Sequence, residues 1–283
     1  MKYFLAFFKL IRVQNLCILA LTQYMVRLFL IGPKENFDVN IFDQSLFFMT
    51  CCTCLVAAAG YIVNDYYDIK IDMVNKPAEV VIGNLIPRRI SLVIQLIFNI
   101  LAVLLSYLFI SPNVCIFISL SAFLLWLYSN LLKRLMFWGN LTVASLAFAS
   151  IFMFALYYKQ KVEYTLYFSF FAFAFTFLRE VVKDMEDMKG DEQFGCKTIP
   201  LVIGLSKTKL LVLVLFTATI LFLSTHFIIL NIRLYLYLMC FVIFPSALLC
   251  IKLYLSSKTK DFKFISQGLK VIMLFGVIGV IFS

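Results

Sequence analysis

Charge is scarce in this chain of 283 residues. Only 14% of them are Asp, Glu, Lys or Arg and 63% are hydrophobic, whereas about one-quarter of an ordinary soluble domain is charged. That shortage excludes the one or two soluble domains that length alone would allow. Histidine is nearly absent, with His226 the single example, so a His-ligated metal centre has no raw material. Flexible linkers and low-complexity tracts are missing too, which leaves one domain covering 1–283. There is no separate basic domain and no aromatic RNA-binding motif, so the net charge of +10 does not point to nucleic acid. Among the eight cysteines, Cys51, Cys52 and Cys54 lie in "TCCTCLVAAAG" without His or paired zinc spacing. They read as small side chains of a membrane helix, and nothing in the pattern demands a disulfide.

What is abundant is apolar sequence in runs near 20 residues, the length that crosses a bilayer as a helix. Nine such segments fall roughly at 10–31, 43–63, 91–110, 114–131, 141–158, 163–180, 209–229, 234–255 and 266–282. The expected fold is therefore an all-α integral membrane protein, a bundle of nine transmembrane helices surrounded by membrane lipid. Arg12, Gln14 and Asn15 interrupt the first segment, which is also too long for a cleaved signal peptide, so it is read as a retained helix. Short breaks such as "SPN" and "KQK" separate most segments. Two breaks are long, 64–90 and 181–208, and they hold most of the acidic residues. With the N-terminus cytoplasmic, 20 of the 25 Lys and Arg fall on the cytoplasmic side, the asymmetry that sets orientation. The expectation is a multi-pass protein of the plasma membrane with two Asp-rich loops on its cytoplasmic face. No signal for oligomeric state is visible.

The acids are patterned. In "NDYYDIKID", Asp65, Asp68 and Asp72 are spaced three and four residues apart, within roughly a 60° arc if helical, with Asn64 at its margin. "REVVKDMEDMKGDEQFG" repeats the spacing with Asp184, Asp187 and Asp191; Glu180 joins that face and Glu186 points away. The two clusters begin 119 residues apart, as a duplicated half-architecture would place them. Solvated acidic turns would not need aligned carboxylates. Charges set in lipid would cost about 2.5–3.5 kcal/mol each, so these face water, a cavity or an ion. Their donors are all oxygens, which selects a hard cation such as Mg²⁺, Mn²⁺ or Ca²⁺. Mg²⁺ takes one or two carboxylates and completes its shell with water and phosphate, so two facing clusters suit a diphosphate clamped by metal ions. Basic candidates to finish a phosphate site are Lys133, with Tyr128 five positions earlier, then Arg88, Arg89, Arg179, Lys183 and Lys197.

These motifs carry a resemblance. "NDYYDIKID" resembles the first aspartate-rich motif of the UbiA superfamily of intramembrane prenyltransferases, and "KDMEDMKGD" its more variable second one. "LYSNLLKR" and "GCKTIPLVIG" resemble the segments after the fourth helix and after the second motif. The resemblance implies that Asn64, Asp65, Asp68 and Asp72 hold one Mg²⁺–diphosphate site and Asp184, Asp187 and Asp191 the other. Asp65, Asp68, Asp184 and Asp187 are then the expected catalytic carboxylates. Lys133 would contact the diphosphate, Asn15 would lie near the reaction centre, and the prenyl tail would occupy an apolar channel. The implied partners are a polyprenyl diphosphate and a lipophilic acceptor. "DIKIDMVNKP" is most similar to the branch that transfers geranylgeranyl to geranylgeranylglyceryl phosphate in archaeal-type ether lipids, although homogentisate prenyltransferases share a similar phrase. One departure stands out: many members carry Arg-Pro after the Asn-Lys-Pro, where this chain has Ala78-Glu79-Val80-Val81. Arg88 or Arg89 is the expected substitute.

Other classes remain open on residues alone. An aromatic prenyltransferase of quinone synthesis would use the same clusters. A cation-coupled transporter would place ionisable groups nearer the midplane, and a membrane scaffold would leave the repeated spacing unexplained.

Overall fold

The computed structural model describes residues 2–32, 37–230 and 232–282. Among these, nine helical spans are long and apolar enough to cross a membrane. Helix α1 (Lys2–Leu10) is separated from α2 (Val13–Met25) by a break, and α2 runs on through a π-helical stretch, Val26–Ile31. A short α3 (Phe37–Ile41) precedes the long α4 (Gln44–Asn75). Then come α5 (Arg88–Phe109), α6 (Pro112–Asn130), α7 (Trp138–Tyr158) and the equally long α8 (Val162–Gln193). A short α9 (Ile199–Ile203) leads to α10 (Leu205–Leu230). The chain ends with α11 (Ile232–Leu238) and α12 (Phe244–Leu255), one span joined through a π-helical stretch, and α13 (Thr259–Gly279). The His226 side chain lies outside what is described.

The starts of these helices follow from local chemistry. Asp43 caps α4, its carboxylate accepting from Ser45 N at 2.8 Å and Leu46 N at 3.4 Å, which satisfies donors a helix N-terminus leaves open. That carboxylate also takes Tyr158 OH at 2.6 Å and Arg27 Nη2 at 3.3 Å, tying α2, α4 and α7 at one end of the bundle. Ser111 and Pro112 start α6 in the same spirit: the hydroxyl accepts from Val114 N at 3.3 Å, and proline fills a first-turn position whose N–H is not needed.

α4 and α8 are the most buried spans and α5 is the least. Phe154, Phe175, Leu46, Met49 and Leu178 form the middle of the principal core, while Leu96, Leu104, Tyr107 and Leu108 of α5 stay exposed as lipid-facing side chains do. A second core cluster joins Ala6 and Leu10 of α1, Ala58, Ile62 and Ile69 of α4, and Val81, Ile82 and Ile86 of the turn after it.

The expected bundle is present, with one change that matters for the site. The stretches after 63 and after 180 do not begin as loops: α4 continues to Asn75 and α8 to Gln193. Thirty-two residues make a helix about 48 Å long, against a hydrocarbon core of ~30 Å, so roughly twelve residues of each helix are left over. Those residues carry the aspartates. The duplication also gains structural support. Moving α4 along by 119 residues gives 163–194, within one residue of α8, and moving α5 gives 207–228, inside α10.

The two overhanging ends are stitched together by Asn75. Its amide Nδ2 donates to the Asp187 carbonyl at 3.0 Å and its Oδ1 accepts from Gly190 N at 2.8 Å. Gly190 leaves room for this; a Cβ there would stand 2.5–2.8 Å from the Asn75 amide atoms. Gly190→Ala should therefore lower the thermal unfolding midpoint in detergent, and Asn75→Ala should lower it too. The double variant should show a coupling of about 1 kcal/mol, because the clash disappears with the amide. Fully additive losses would contradict the stitch.

Candidate active site

The overhangs of α4 and α8 form two walls of a chamber of about 750 Å³, with side chains of α1, α2, α6, α7 and α13 completing it. Nine carboxylates and eight Lys or Arg side chains line it, so its charges nearly balance and their pairing decides its chemistry. Beneath it opens a narrower cleft of about 320 Å³, walled by apolar groups of α2, α4, α6 and α7 such as Leu19, Val56, Ala57, Leu125, Val143 and Leu146. Eight residues line both spaces, among them Arg12, Asn15, Asn64, Tyr128 and Lys183. A polar chamber thus leads into an apolar pocket.

Most expected site residues meet here. Lys133, carried by the tight turn Leu132–Arg134 after α6, sets its ammonium 2.6 Å from Asp68 Oδ1 and 3.3 Å from Asn64 Oδ1. Gly139 makes that turn possible, since a Cβ at 139 would lie 2.8 Å from the Lys133 Cα. Asp65 accepts from Arg12 Nη2 at 2.7 Å. Asp184 accepts from Asn140 Nδ2 at 2.8 Å. Asp187 is held by Lys76, whose ammonium stands 2.7 Å from Oδ1 and 3.0 Å from Oδ2. Asp72 and Asp191 line the same chamber, and among the described residues their carboxylates have neither an ion-pair nor a hydrogen-bond partner.

Two expectations need correction. Arg88 and Arg89 are exposed and do not line the chamber. The turn 80–86 buries Val81, Ile82 and Ile86 against α1 and α4, so Val81 faces the chamber and α5 starts with its arginines outside. Glu186 does not point away: its Oε1 lies 3.5 Å from Lys76 Nζ. Lys76, leaving α4 through its C-cap, reaches across to α8 and sets its ammonium between Asp187 on the arc and Glu186 beside it.

Several site residues had no role assigned from sequence. Arg12 was legible only as a polar interruption of an apolar run. It sits in the left-handed region, φ 51°, at the α1–α2 break, a conformation costing on the order of 1–3 kcal/mol for a non-glycine residue. Its guanidinium lies over the Tyr61 ring at 4.9 Å. Burial works against its charge, but Asp65 more than offsets this, and its pKa is raised. Asn140 gave no signal beyond its place soon after "LKR". Lys76 and Asn75 stood in the quoted "NKP" without a function.

The donor set fits a hard cation in one particular way. Among the described residues, no three acidic, His or Cys side chains converge closely enough to cage a metal by themselves. Asp72 and Asp191 nevertheless present uncompensated oxygens on opposite helices, while Asp68 and Asp187 are neutralised by lysines. Carboxylates offered singly and in pairs around open space match an ion that draws its remaining ligands from water and phosphate.

A membrane-embedded helical bundle with facing acidic helix ends and an apolar cleft beneath them defines a class of protein. The chain matches the UbiA prenyltransferase family over residues 20–274, and it belongs to that family. It is 33% identical over 210 residues to a digeranylgeranylglyceryl phosphate synthase of Sulfurisphaera tokodaii, covering 72% of this chain and 71% of the relative. A protein of the same name from Methanosphaera stadtmanae is 30% identical over 186 residues, covering 66% of this chain and 65% of the relative. With a third, from Methanococcoides burtonii, the match spans 60% of each chain. In fold, the chain is similar to a solved digeranylgeranylglyceryl phosphate synthase, with a TM-score of 0.68, 24% identity and 99% of both chains covered. It is also similar to a UbiA homologue of Archaeoglobus fulgidus bound to DMAPP and Mg²⁺, with a TM-score of 0.66, 15% identity, and 97% and 98% covered.

Lys76 gives the site a measurable pH signature. Burial opposes its charge, yet Asp187, its hydrogen bond and Glu186 together raise its pKa above the ordinary 10.5. Since the folded value exceeds the unfolded one, the pairing stabilises fully below pH 10.5 and is lost as pH rises through the raised value. Lys76→Met should cost about 1.5–3 kcal/mol at neutral pH, the worth of hydrogen bonds to a charged group. Thermal unfolding in detergent should show the gap to wild type closing in strong alkali. A gap that persists there would contradict the pairing.

Proposed function

We propose that this chain is a Mg²⁺-dependent intramembrane prenyltransferase that moves a geranylgeranyl group from its diphosphate to geranylgeranylglyceryl phosphate. The observation that carries this reading is the junction of an acid- and lysine-lined chamber with an apolar cleft, the two halves of a prenyl diphosphate. In this reading Asn64, Asp65, Asp68 and Asp72 on α4 and Asp184, Asp187 and Asp191 on α8 would hold the metal ions. Bound there, Mg²⁺ would neutralise the diphosphate and so make it a better leaving group.

This chain's own residues do the rest. Lys133 and Lys76 are placed to transfer from Asp68 and Asp187 to phosphate oxygens, meeting charge as the C1–oxygen bond breaks. The cleft takes the prenyl tail and keeps bulk water from the allylic cation, which water would quench. Tyr128, at the narrowing, offers a ring that attracts such a cation. The acceptor hydroxyl adds to C1 and sheds its proton to the water of the chamber. Lys183 serves the same anionic neighbourhood, and Asn15 lies beside the reacting carbon. The Lys and Arg bias, 20 of 25 at the end bearing the aspartates, supports a cytoplasmic site and N-terminus in the plasma membrane.

The test is prenyl transfer by purified protein with Mg²⁺, offering geranylgeranyl diphosphate with geranylgeranylglyceryl phosphate and, separately, with 4-hydroxybenzoate, dihydroxynaphthoate and homogentisate. An ether product is expected. An aromatic product would move the protein to quinone synthesis, and no product from folded protein would remove the reading. Asp65→Asn, Asp68→Asn and Asp184→Asn should each lower kcat by at least about 10²–10³, as lost transition-state charge stabilisation does, while the protein still inserts and folds. Retained activity in any two would sink the two-cluster site.

A further inference from the structure

The charges of the chamber are sorted by depth. Toward the tips of α4 and α8 stand Asp68, Asp72, Asp184, Asp187 and Asp191, with Lys76 and Lys133 between them. At the throat, where chamber and cleft share their lining, the balance reverses. Arg12, Arg179, Lys183 and Lys270 line both spaces there, and Glu180 is the one carboxylate among the described residues that does so. Arg12 is matched by Asp65, at 2.7 Å, just above. Glu180, 8% exposed, serves two cations at once, with Arg179 Nη1 at 2.8 Å and Lys183 Nζ at 3.1 Å.

That leaves positive charge over, and donors with nothing to donate to. Arg179 Nε is buried and, among the described residues, has no hydrogen-bond partner. Lys270, on α13, donates to the neutral amide oxygen of Asn15, and among the described residues no carboxylate pairs with it. A buried donor left unsatisfied costs about 1–3 kcal/mol, more when it is charged. An excess of guanidinium and ammonium donors at the mouth of an apolar cleft is complementary to an anionic headgroup on an apolar tail.

We propose that Lys270 and Arg179 form a second anion site, distinct from the acidic diphosphate end, which binds the phosphomonoester of the prenyl acceptor. The assignment rests on the prenyl-transfer reading for the identity of the acceptor, and on the throat's charge for the site itself. It also explains how the acceptor is positioned. In a glyceryl phosphate monoether the free hydroxyl is one carbon away from the phosphoester. Anchoring the phosphate at the throat therefore holds that hydroxyl at the boundary where the prenyl C1 would lie, below the metal-binding carboxylates. Arg179 and Lys270 are positioned on different helices, so together they would fix the orientation as well as the charge, and the planar donor fork of a guanidinium suits phosphate oxygens.

Binding, read without turnover, tests the site. The full chain in detergent, free of donor and treated with EDTA so that no metal contributes, is titrated with geranylgeranylglyceryl phosphate and with the corresponding dephosphorylated alcohol, with inorganic phosphate as competitor. Wild type should bind the phosphate at least tenfold more tightly than the alcohol. Lys270→Gln and Arg179→Gln should each weaken binding of the phosphate by about 10–100-fold, the equivalent of a lost charge-assisted hydrogen bond, and leave the alcohol unchanged. Lys270→Arg, which keeps the charge, should retain most of the preference. The same preference in Lys270→Gln as in wild type overturns the site, as does an equal loss for both ligands, which would mean a structural role only. Absence of prenyl transfer by wild type would count against the reaction and not against this binding site.

Discussion

Carboxylates cannot remain charged against lipid, and this constraint organises the bundle. The aspartates of the two motifs are carried past the hydrocarbon by α4 and α8, each a helix of 32 residues where about 20 would cross. The overhangs make the acids available to water, ions and one another while the lower parts of the same helices form the most buried spans. Because α4 and α8 are packed together in the membrane, their acidic ends must face each other above it. Asn75 and Lys76 then fasten the ends through the Asp187 carbonyl, the Gly190 N–H and the Asp187 carboxylate. The chamber is thus first a consequence of helix length and register, to which the turns bearing Val81, Lys133 and Thr198 add lining.

The legible parts of the site were those encoded as periodicity. Three-then-four spacing puts Asp65, Asp68 and Asp72 on one side of a helix, and its repetition at 184, 187 and 191 announced the partner surface before any packing was known. Lys133 was legible because the turn that bears it ends a hydrophobic run at the same side. Arg12 was not, since its use depends on a left-handed break that redirects one side chain out of an otherwise apolar stretch, and such a break has no spacing signature. Asn140 and Lys270 depend on which helices become neighbours, a tertiary fact. Arg88 and Arg89 misled for the opposite reason: their nearness in sequence to the first motif suggested nearness in space, and the burial of Val81, Ile82 and Ile86 turned the chain elsewhere. Glu186 shows the limit of arc arguments, because α8 is lined by partners on more than one side at its tip and Lys76 comes from the neighbouring helix end.

The lysines explain how the two acidic clusters can stand face to face. Lys133 on Asp68 and Lys76 on Asp187 neutralise part of the cluster, while Asp72 and Asp191 stay without partners among the described residues. A lysine that lets go of a carboxylate to meet a diphosphate oxygen exchanges one charge-assisted hydrogen bond for another, each worth roughly 1.5–3 kcal/mol. Little would be lost in the exchange, and each freed carboxylate would become available to a cation accompanying the phosphate. The same reasoning does not apply at the throat, where Arg179 and Lys183 share Glu180 and, among the described residues, Lys270 has only an amide. Lys270 has no carboxylate to release there, and Glu180 is already shared by two cations, so an anion bound among them would be held by the protein alone. The two ends of the chamber therefore differ in kind: near the helix tips an anion would need to bring its own countercharge, and at the throat the countercharge is already built in.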